Sequence, residues 1–283
     1  MYDVIIIGKG PAGVSSALYT SRAGLKTLII GMQSMLEKAE KIDNYYGFSE
    51  SISGKQLLEN GIKQVKRFGV EVIEEEVIAL EKEQYFTIKT DKGEYSSKAV
   101  LLATGSQRKK LDIQNAEKFE GSGIHFCTTC DGFFYRNKKV GLLGSGKYAM
   151  YEVNELKNYT QDIVVFTNGE KLTTDCEFPV DKRKITKIEG EGKIEKIIFE
   201  NGEERKDIQG IFVAQKSASA IDFALKLGVL TQKDKIIVDK EYKTNIDGLY
   251  AAGDCVESFM QVATAVAGGA IAGKNIITYV KIK

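Results

Sequence analysis

Two cysteines stand two residues apart in the stretch CTTCDGFFY, residues 127–135, followed at once by an acid, a glycine and three aromatics. Thiols at that spacing can close into a disulfide and reopen, which is the chemistry of thiol–disulfide exchange. The same spacing also serves a structural disulfide or half of a metal site. The other cysteines, Cys176 and Cys255, are isolated in sequence and read as small, semi-buried side chains. His125 is the only histidine in the 283 residues, so histidine triads and multi-histidine zinc sites are excluded. It lies two positions before Cys127, where an imidazole can bias a thiol or be simply a loop residue.

A second chemical signal opens the chain. The apolar run YDVIII meets GKGPAG, and VSSALYTSRAG then reads as a helix ending at a glycine, with a strand at KTLIIG. Gly8, Gly10 and Gly13 occupy GxGxxG positions, where glycine permits a tight turn and close approach of backbone to a pyrophosphate at a helix N-terminus. The acid usual at the end of the second strand is missing, since Gly31 and Met32 stand there. Roughly 135 residues further on, NKKVGLLGSGKYAMYEVNELKNYTQDIVVF repeats strand, glycine loop, helix and strand around Gly144 and Gly146. Two such units predict duplicated α/β domains, one inserted in the other. Alternation in YFTIKT and GEYSSKAVLLATG predicts strands between them, and KIEKIIFENGEERK predicts a hairpin turning at Asn-Gly. A strand and loop at GLYAAGDC and a closing helix over QVATAVAGGAIAGKNIITYV complete the chain, with junctions expected near 110–115 and 234–240.

Bulk properties exclude several classes. Forty Lys+Arg balance 39 Asp+Glu, so no basic field points to nucleic acid or an anionic membrane. No charge-free apolar run of about 18 residues exists, and Val262–Val280 is broken by Lys274. The start MYDVIIIG lacks a signal peptide's basic region and cleavage site. With only two close cysteines there is no secreted disulfide framework. The expectation is a cytoplasmic protein.

GKGPAG at 8–13, DNYYGF at 43–48, LLATGSQRKKL at 101–111, CTTCDGFFYRNKKV at 127–140 and TNIDGLYAAGDCVESFMQVATAVAGGAIA at 244–272 together resemble the low-molecular-weight thioredoxin reductases over essentially the whole chain. The resemblance implies an α/β fold of two Rossmann-like, three-layer ββα domains, the second inserted in the first. Residues 1–112 and 236–283 would bind FAD, and 113–235 would form the NADPH-domain-like unit carrying the cysteines. It places Gly8, Gly10, Pro11, Ala12 and Gly13 on the pyrophosphate, Asn44 on the flavin side, and Thr104 and Gly105 in the turn beside the cofactor. Gly253 and Asp254 would lie by the ribityl or phosphate groups. Met260, Gln261 and Val262 would lie at the head of the last helix, whose positive end favours an anionic flavin. By the same resemblance Cys130 takes electrons from the flavin and Cys127 attacks the disulfide of thioredoxin. Asp131 is implied as the general acid, a task that needs a desolvated carboxyl. A homodimer is implied as well. Phe133, Phe134 and Tyr135 are expected to be packing residues.

The second loop departs from that family. Lys147 and Tyr148 put long side chains at the helix start, no arginine occurs in FTNGEKLTT at 166–174 to hold a 2′-phosphate, and AQKSASA at 214–220 has Lys216 and Ser219 in place of a glycine and a proline. The FAD and cysteine elements remain, so the pattern is closest to the ferredoxin-dependent flavin thioredoxin reductases, with reduced ferredoxin as donor. NADH or NADPH through a non-standard site, with Glu170 on a ribose hydroxyl, is the alternative, and a flavoprotein reducing another partner, or a non-catalytic redox-sensing or binding module, is a third. Arg108, Lys109, Lys110, Arg136, Lys138 and Lys139 are basic residues an acidic ferredoxin would meet, though a solvated surface explains them too. The loop GMQSMLEKAEKIDN is expected to be remodelled relative to the family.

Overall fold

The computed structural model describes residues 1–105, 111–215, 218–232, 235–256 and 259–282. Arg108, Lys109, Lys110 and Lys216 therefore lie outside the described residues. The chain divides into two units, Met1–Arg108 with Ser219–Lys283, and Lys109–Ala218.

In the first unit, β1 (Tyr2–Ile7), α1 (Pro11–Arg22) and β2 (Thr27–Ile30) are followed by α2 (Gly54–Lys66), β3 (Glu71–Ile73), β4 (Val77–Lys82), β5 (Phe86–Thr90) and β6 (Glu94–Leu102). Val4 through Ile7 are all buried, as a strand covered on both faces requires, and the β-branched run suits that setting. The sheet runs β3-β2-β1-β6-β5-β4. Its β3, β2, β1 and β6 are parallel, whereas β4 and β5 join as an antiparallel meander.

The second unit carries β7 (Ile124–His125), α3 (Thr128–Asp131), β8 (Val140–Leu143), α4 (Lys147–Leu156), β9 (Ile163–Phe166), β10 (Val180–Asp181), β11 (Ile185–Glu189), β12 (Lys196–Phe199), β13 (Glu204–Arg205) and β14 (Gly210–Val213). A parallel sheet in the order β10-β9-β8-β14-β7 lies beside a separate antiparallel sheet β11-β12-β13. Phe166, Ile185, Ile188, Ile197, Phe199 and Ile211 bring the two into one core. The expected Asn-Gly hairpin joins β12 to β13, with Gly202 at φ +80.

The chain then returns to the first unit as α5 (Ala220–Lys226), β15 (Thr231–Gln232), β16 (Lys235–Ile236), β17 (Leu249–Ala251) and α6 (Val262–Ile282). β6 is shared along its length: residues 94–97 pair with β5 and 100–102 with β17. The junction expected near 234–240 lies instead at 218–219. The reason is where the backbone groups of 219–236 find partners. Ala220 N–H donates to Thr104 Oγ1 at 2.9 Å, Leu230 N–H to Asn245 Oδ1 at 2.9 Å and Ile236 N–H to the Cys255 carbonyl at 2.9 Å. A domain boundary falls where few such contacts cross. Ser219, which occupies the family's proline position, caps α5 through a reciprocal pair with Asp222.

α1 and α6 form the helical layer over β1 and β6, with Val4, Ile6, Ala99 and Leu101 beneath Ala12, Ala17, Ala272 and Ile276. Small residues let the two backbones come close: Ser15 Oγ donates to the Val266 carbonyl at 2.8 Å, and a Cβ on Gly269 would stand 2.1 Å from the Ala12 carbonyl oxygen. That oxygen is backbone and cannot swing aside. Gly269→Ala should therefore cost about 1–3 kcal/mol in urea unfolding of the FAD-loaded protein; a loss indistinguishable from zero would contradict the contact.

Candidate functional site

The glycine loop after β1 is held by contacts that only glycine permits. A Cβ on Gly8 (φ +119) would meet the Ala103 carbonyl oxygen at 2.2 Å, and one on Gly13 would meet the Gly8 carbonyl oxygen at 2.0 Å. Gly10 differs. Its added Cβ would meet only Ser34 Oγ, at 3.6 Å, so open space lies over the start of α1. Gly10 N-caps α1 without a side-chain hydrogen bond, and Pro11 follows in the first turn. Uncapped N–H groups facing open space at a helix start suit a pyrophosphate. Ser34 itself belongs to a capping box with Glu37 on the short helix Met35–Lys38. S-x-x-E was readable in the remodelled loop, but its closeness to Gly10 was not.

Other candidates gather in the same unit. Asn44 Nδ2 donates to Gln261 Oε1 at 2.8 Å, joining two positions 217 residues apart. The Gln261 backbone N–H donates to Thr264 Oγ1 at 3.3 Å, and the side chain of Met260 is exposed. Thr104 Oγ1 accepts from Ala220, Gly105 has φ +77, and Gly253 (φ +83) sits 3.0 Å, by its added Cβ, from Ala12 Cβ. Asp254 is half-withdrawn from water, which raises its carboxyl's pKa against the opposing charge of Lys235. No described residue hydrogen-bonds to that carboxyl, so it is available to a ligand hydroxyl. These residues fit an FAD. Next to them Cys255 is buried, its thiol pushed up to about 12 by desolvation while it donates to the Ala252 carbonyl, a structural and inert position.

In the second unit Cys127 and Cys130 form a disulfide across α3. Cys127 caps the helix, its sulfur accepting from the Cys130 N–H at 3.2 Å. Cys127 is buried and Cys130 exposed. His125 is buried on β7 between Phe212 and Tyr135, with Nε2 2.8 Å from Tyr135 Oη and Nδ1 3.0 Å from Asp131 Oδ2. The expectation that all three aromatics pack is corrected: Tyr135 is buried, but Phe133 and Phe134 are 59% and 65% exposed. The two rings meet edge to face, with the Arg136 guanidinium 4.8 Å from the Phe133 centroid. A three-residue aromatic run has no strand or helix period to say which ring turns inward. Lys138 sits 5.5 Å over the Tyr135 ring, and Lys139 pairs with Asp207 at 3.0 Å.

The second glycine loop keeps its backbone form, since a Cβ on Gly144 would meet the Ala214 carbonyl oxygen at 2.3 Å and one on Gly146 would meet nothing. Tyr148 does not obstruct it; the ring is buried in the unit's interior. What distinguishes the loop is charge. Glu170 Oε2 accepts from Ser145 Oγ at 2.6 Å, and Thr173 N–H donates to the Ser145 carbonyl at 3.1 Å. The segment after β9 thus lies on the loop and presents a carboxylate there.

Comparison with known proteins agrees with this geometry. The family model "Pyridine nucleotide-disulphide oxidoreductase" matches residues 2–183 and 179–269. A thioredoxin reductase from Listeria innocua is 32% identical over 304 aligned positions, covering 99% of this chain and 94% of its own. Among solved structures, the atypical thioredoxin reductase of Desulfovibrio vulgaris Hildenborough has a TM-score of 0.94 at 38% identity, covering 100% of this chain and 99% of its own. A ferredoxin-flavin thioredoxin reductase from Clostridium acetobutylicum has 0.73 at 31% identity, covering 100% and 99%.

Because Gly10 has φ −76 and room beside it, a larger residue there tests the cradle without touching the fold. Gly10→Val should leave the circular dichroism spectrum unchanged and weaken FAD retention at least about tenfold, or about 1.4 kcal/mol, read as the flavin-to-protein absorbance ratio after gel filtration. Full retention would remove the pyrophosphate from this site.

Proposed function

The chain belongs to the pyridine nucleotide-disulphide oxidoreductase family and is an FAD-binding thioredoxin reductase, and from that premise we propose that it is fed by reduced ferredoxin and not by NADPH. The observation that carries this reading is the Glu170 carboxylate seated on Ser145 of the second glycine loop. A carboxylate there repels the 2′-phosphate of NADPH, and no arginine in 166–174 offsets it. Likeness to a ferredoxin-flavin enzyme at 31% identity supports the same donor.

An FAD held at the loop of Gly8, Gly10 and Gly13 would supply the conversion of single electrons into a pair. Energetics favour the direction: a ferredoxin near about −400 mV against thioredoxin near about −270 mV is roughly 6 kcal/mol downhill for two electrons. In the outgoing half, the Cys127 thiolate bonds to one thioredoxin sulfur as thioredoxin's own S–S bond breaks. Asp131 protonates the departing thiolate, then takes the proton of the Cys130 thiol. Cys130 attacks Cys127, and the second thioredoxin sulfur leaves with that proton. Two electrons and two protons have moved, and the Cys127–Cys130 disulfide is restored. The Cys130 N–H on Cys127 Sγ stabilises negative charge on the attacking sulfur. Since Cys127 is buried here, this assignment requires that it be uncovered before thioredoxin binds. Phe133 and Phe134, exposed a few residues away, give thioredoxin an apolar contact. We place the reaction in the cytoplasm, where thiols stay reduced and such a disulfide is catalytic.

One observation favours a second reading: an acid beside a glycine loop is also how a dinucleotide fold holds a ribose hydroxyl of NADH. Anaerobic titration separates the two. Reduced ferredoxin should bleach the flavin and NADPH should not; rapid bleaching by NADPH sinks the proposal, and bleaching by NADH that vanishes in Glu170→Gln establishes the alternative.

The sulfur roles have their own test. Cys130→Ser should trap a mixed disulfide with thioredoxin through Cys127, and Cys127→Ser should not; the reverse result exchanges the roles. Phe134→Ala should raise KM for thioredoxin about tenfold, roughly 1.4 kcal/mol, with kcat unchanged.

A further inference from the structure

The only histidine of the chain is buried at 4% exposure within reach of the acid beside the redox sulfurs, and nothing in the chemistry above uses it. Three contacts fix it. Phe212, paired with His125 between β14 and β7, stacks on the ring at 5.3 Å and 30°. Tyr135 meets it edge-on at 5.0 Å, with Oη 2.8 Å from Nε2. Asp131 Oδ2 lies 3.0 Å from Nδ1. Nδ1 makes no well-aligned hydrogen bond to any described residue, and the carboxylate of Asp131 is the charged group that stands beside it. Such contacts are often loosely aligned before a substrate is bound.

The proton positions follow from the chemistry of the neighbours. Burial, then the charge of Asp131, raises the pKa of the Tyr135 phenol, so it keeps its proton and has an O–H to give. The tautomer decides whether Tyr135 Oη or Nε2 is the donor. The carboxylate favours one: a ring proton on Nδ1 faces Asp131 Oδ2 and leaves Nε2 to accept from Tyr135, whereas the opposite tautomer would set a nitrogen lone pair against a carboxylate oxygen.

Resting on the thioredoxin reductase reading above, we infer that His125 is a positioning residue: Tyr135 holds its imidazole in the Nδ1–H form, and Nδ1–H occupies Oδ2 of Asp131, leaving Oδ1 to exchange protons with the sulfurs. Asp131 is otherwise poorly restrained, with 33% of its side chain exposed at the end of a four-residue helix. An acid that must deliver a proton to two successive departing thiolates gains from a fixed oxygen, because misplacement of a reacting group by about 1 Å can cost about a hundredfold in rate. The imidazole need not change its own protonation in either delivery, so the count of two protons and two electrons given above is unaltered.

Two measurements on the FAD-loaded full chain test this. With a single histidine, 15N-histidine labelling gives one imidazole spectrum. Nδ1 should appear protonated and Nε2 unprotonated, and Tyr135→Phe should relax that preference. The reverse tautomer overturns the proposal, for Nδ1 would then have no proton to offer.

The second is the single-turnover rate at which the pre-reduced dithiol is oxidised by thioredoxin disulfide. His125→Leu should slow it about tenfold with KM for thioredoxin unchanged. His125→Asn, whose amide can place an N–H near Nδ1, should recover most of the rate. In an Asp131→Asn background His125→Leu should add no further loss, because both changes act through one group. Additive losses, or equal slowing by Asn and Leu, would assign His125 to packing and sink the inference. Should His125→Leu fail to fold, Tyr135→Phe carries the same comparison, with a several-fold loss expected alone and none over Asp131→Asn. Full turnover by Asp131→Asn alone removes the acid itself and overturns the underlying reading, a result distinct from the others.

Discussion

Backbone packed against backbone at glycine is the constraint on which the first unit depends. Gly8 lies on the Ala103 carbonyl, Gly13 on that of Gly8, and Gly269 on that of Ala12, each closer than any Cβ allows. Together these draw β1, the head of α1, the end of β6 and α6 into one knot. Close packing there keeps the helix start rigid while leaving its N–H groups outward, over the open space at Gly10. An uncapped helix start held in this way suits an anion, since little would need reordering on binding.

The second unit repeats the loop with different side chains around it. Gly144 makes the same kind of approach to Ala214, and the space over Gly146 is open as it is over Gly10. The backbone form of the loop is therefore independent of the side chains at its rim. Glu170 on Ser145 and the lysine at α4's first position change the charge over the loop without changing its shape. Fold and ligand preference are separable for that reason: the first is set by carbonyl contacts, the second by a few side chains at the rim.

Around the disulfide the same unit mixes opposite surroundings within eleven residues. Cys127, His125 and Tyr135 are buried, while Cys130, Phe133 and Phe134 face solvent. One face can thus meet a protein while the other holds polar groups where water does not compete. A buried hydrogen bond is stronger for that exclusion and more costly to leave unmade.

Much of this was legible in the chain. Val4–Ile7, the GxGxxG spacing, its repeat, the alternating strands and the Asn-Gly hairpin each depend on local steric preference or on side-chain period, which neighbours in sequence report. So did the CxxC pair, whose spacing alone permits a disulfide. Other features came only with the tertiary structure. The union of Asn44 with Gln261, of Lys9 with Glu74, of Ser145 with Glu170 and of His125 with Tyr135 and Asp131 joins residues 6 to 217 positions apart, by contacts no period encodes. The placement of 219–235 with the first unit, and the outward turn of Phe133 and Phe134 beside an inward Tyr135, were likewise decided by which partners the folded chain offered. Sequence determined the elements because backbone conformation is chosen locally; the site was decided by packing, which sums over the whole chain.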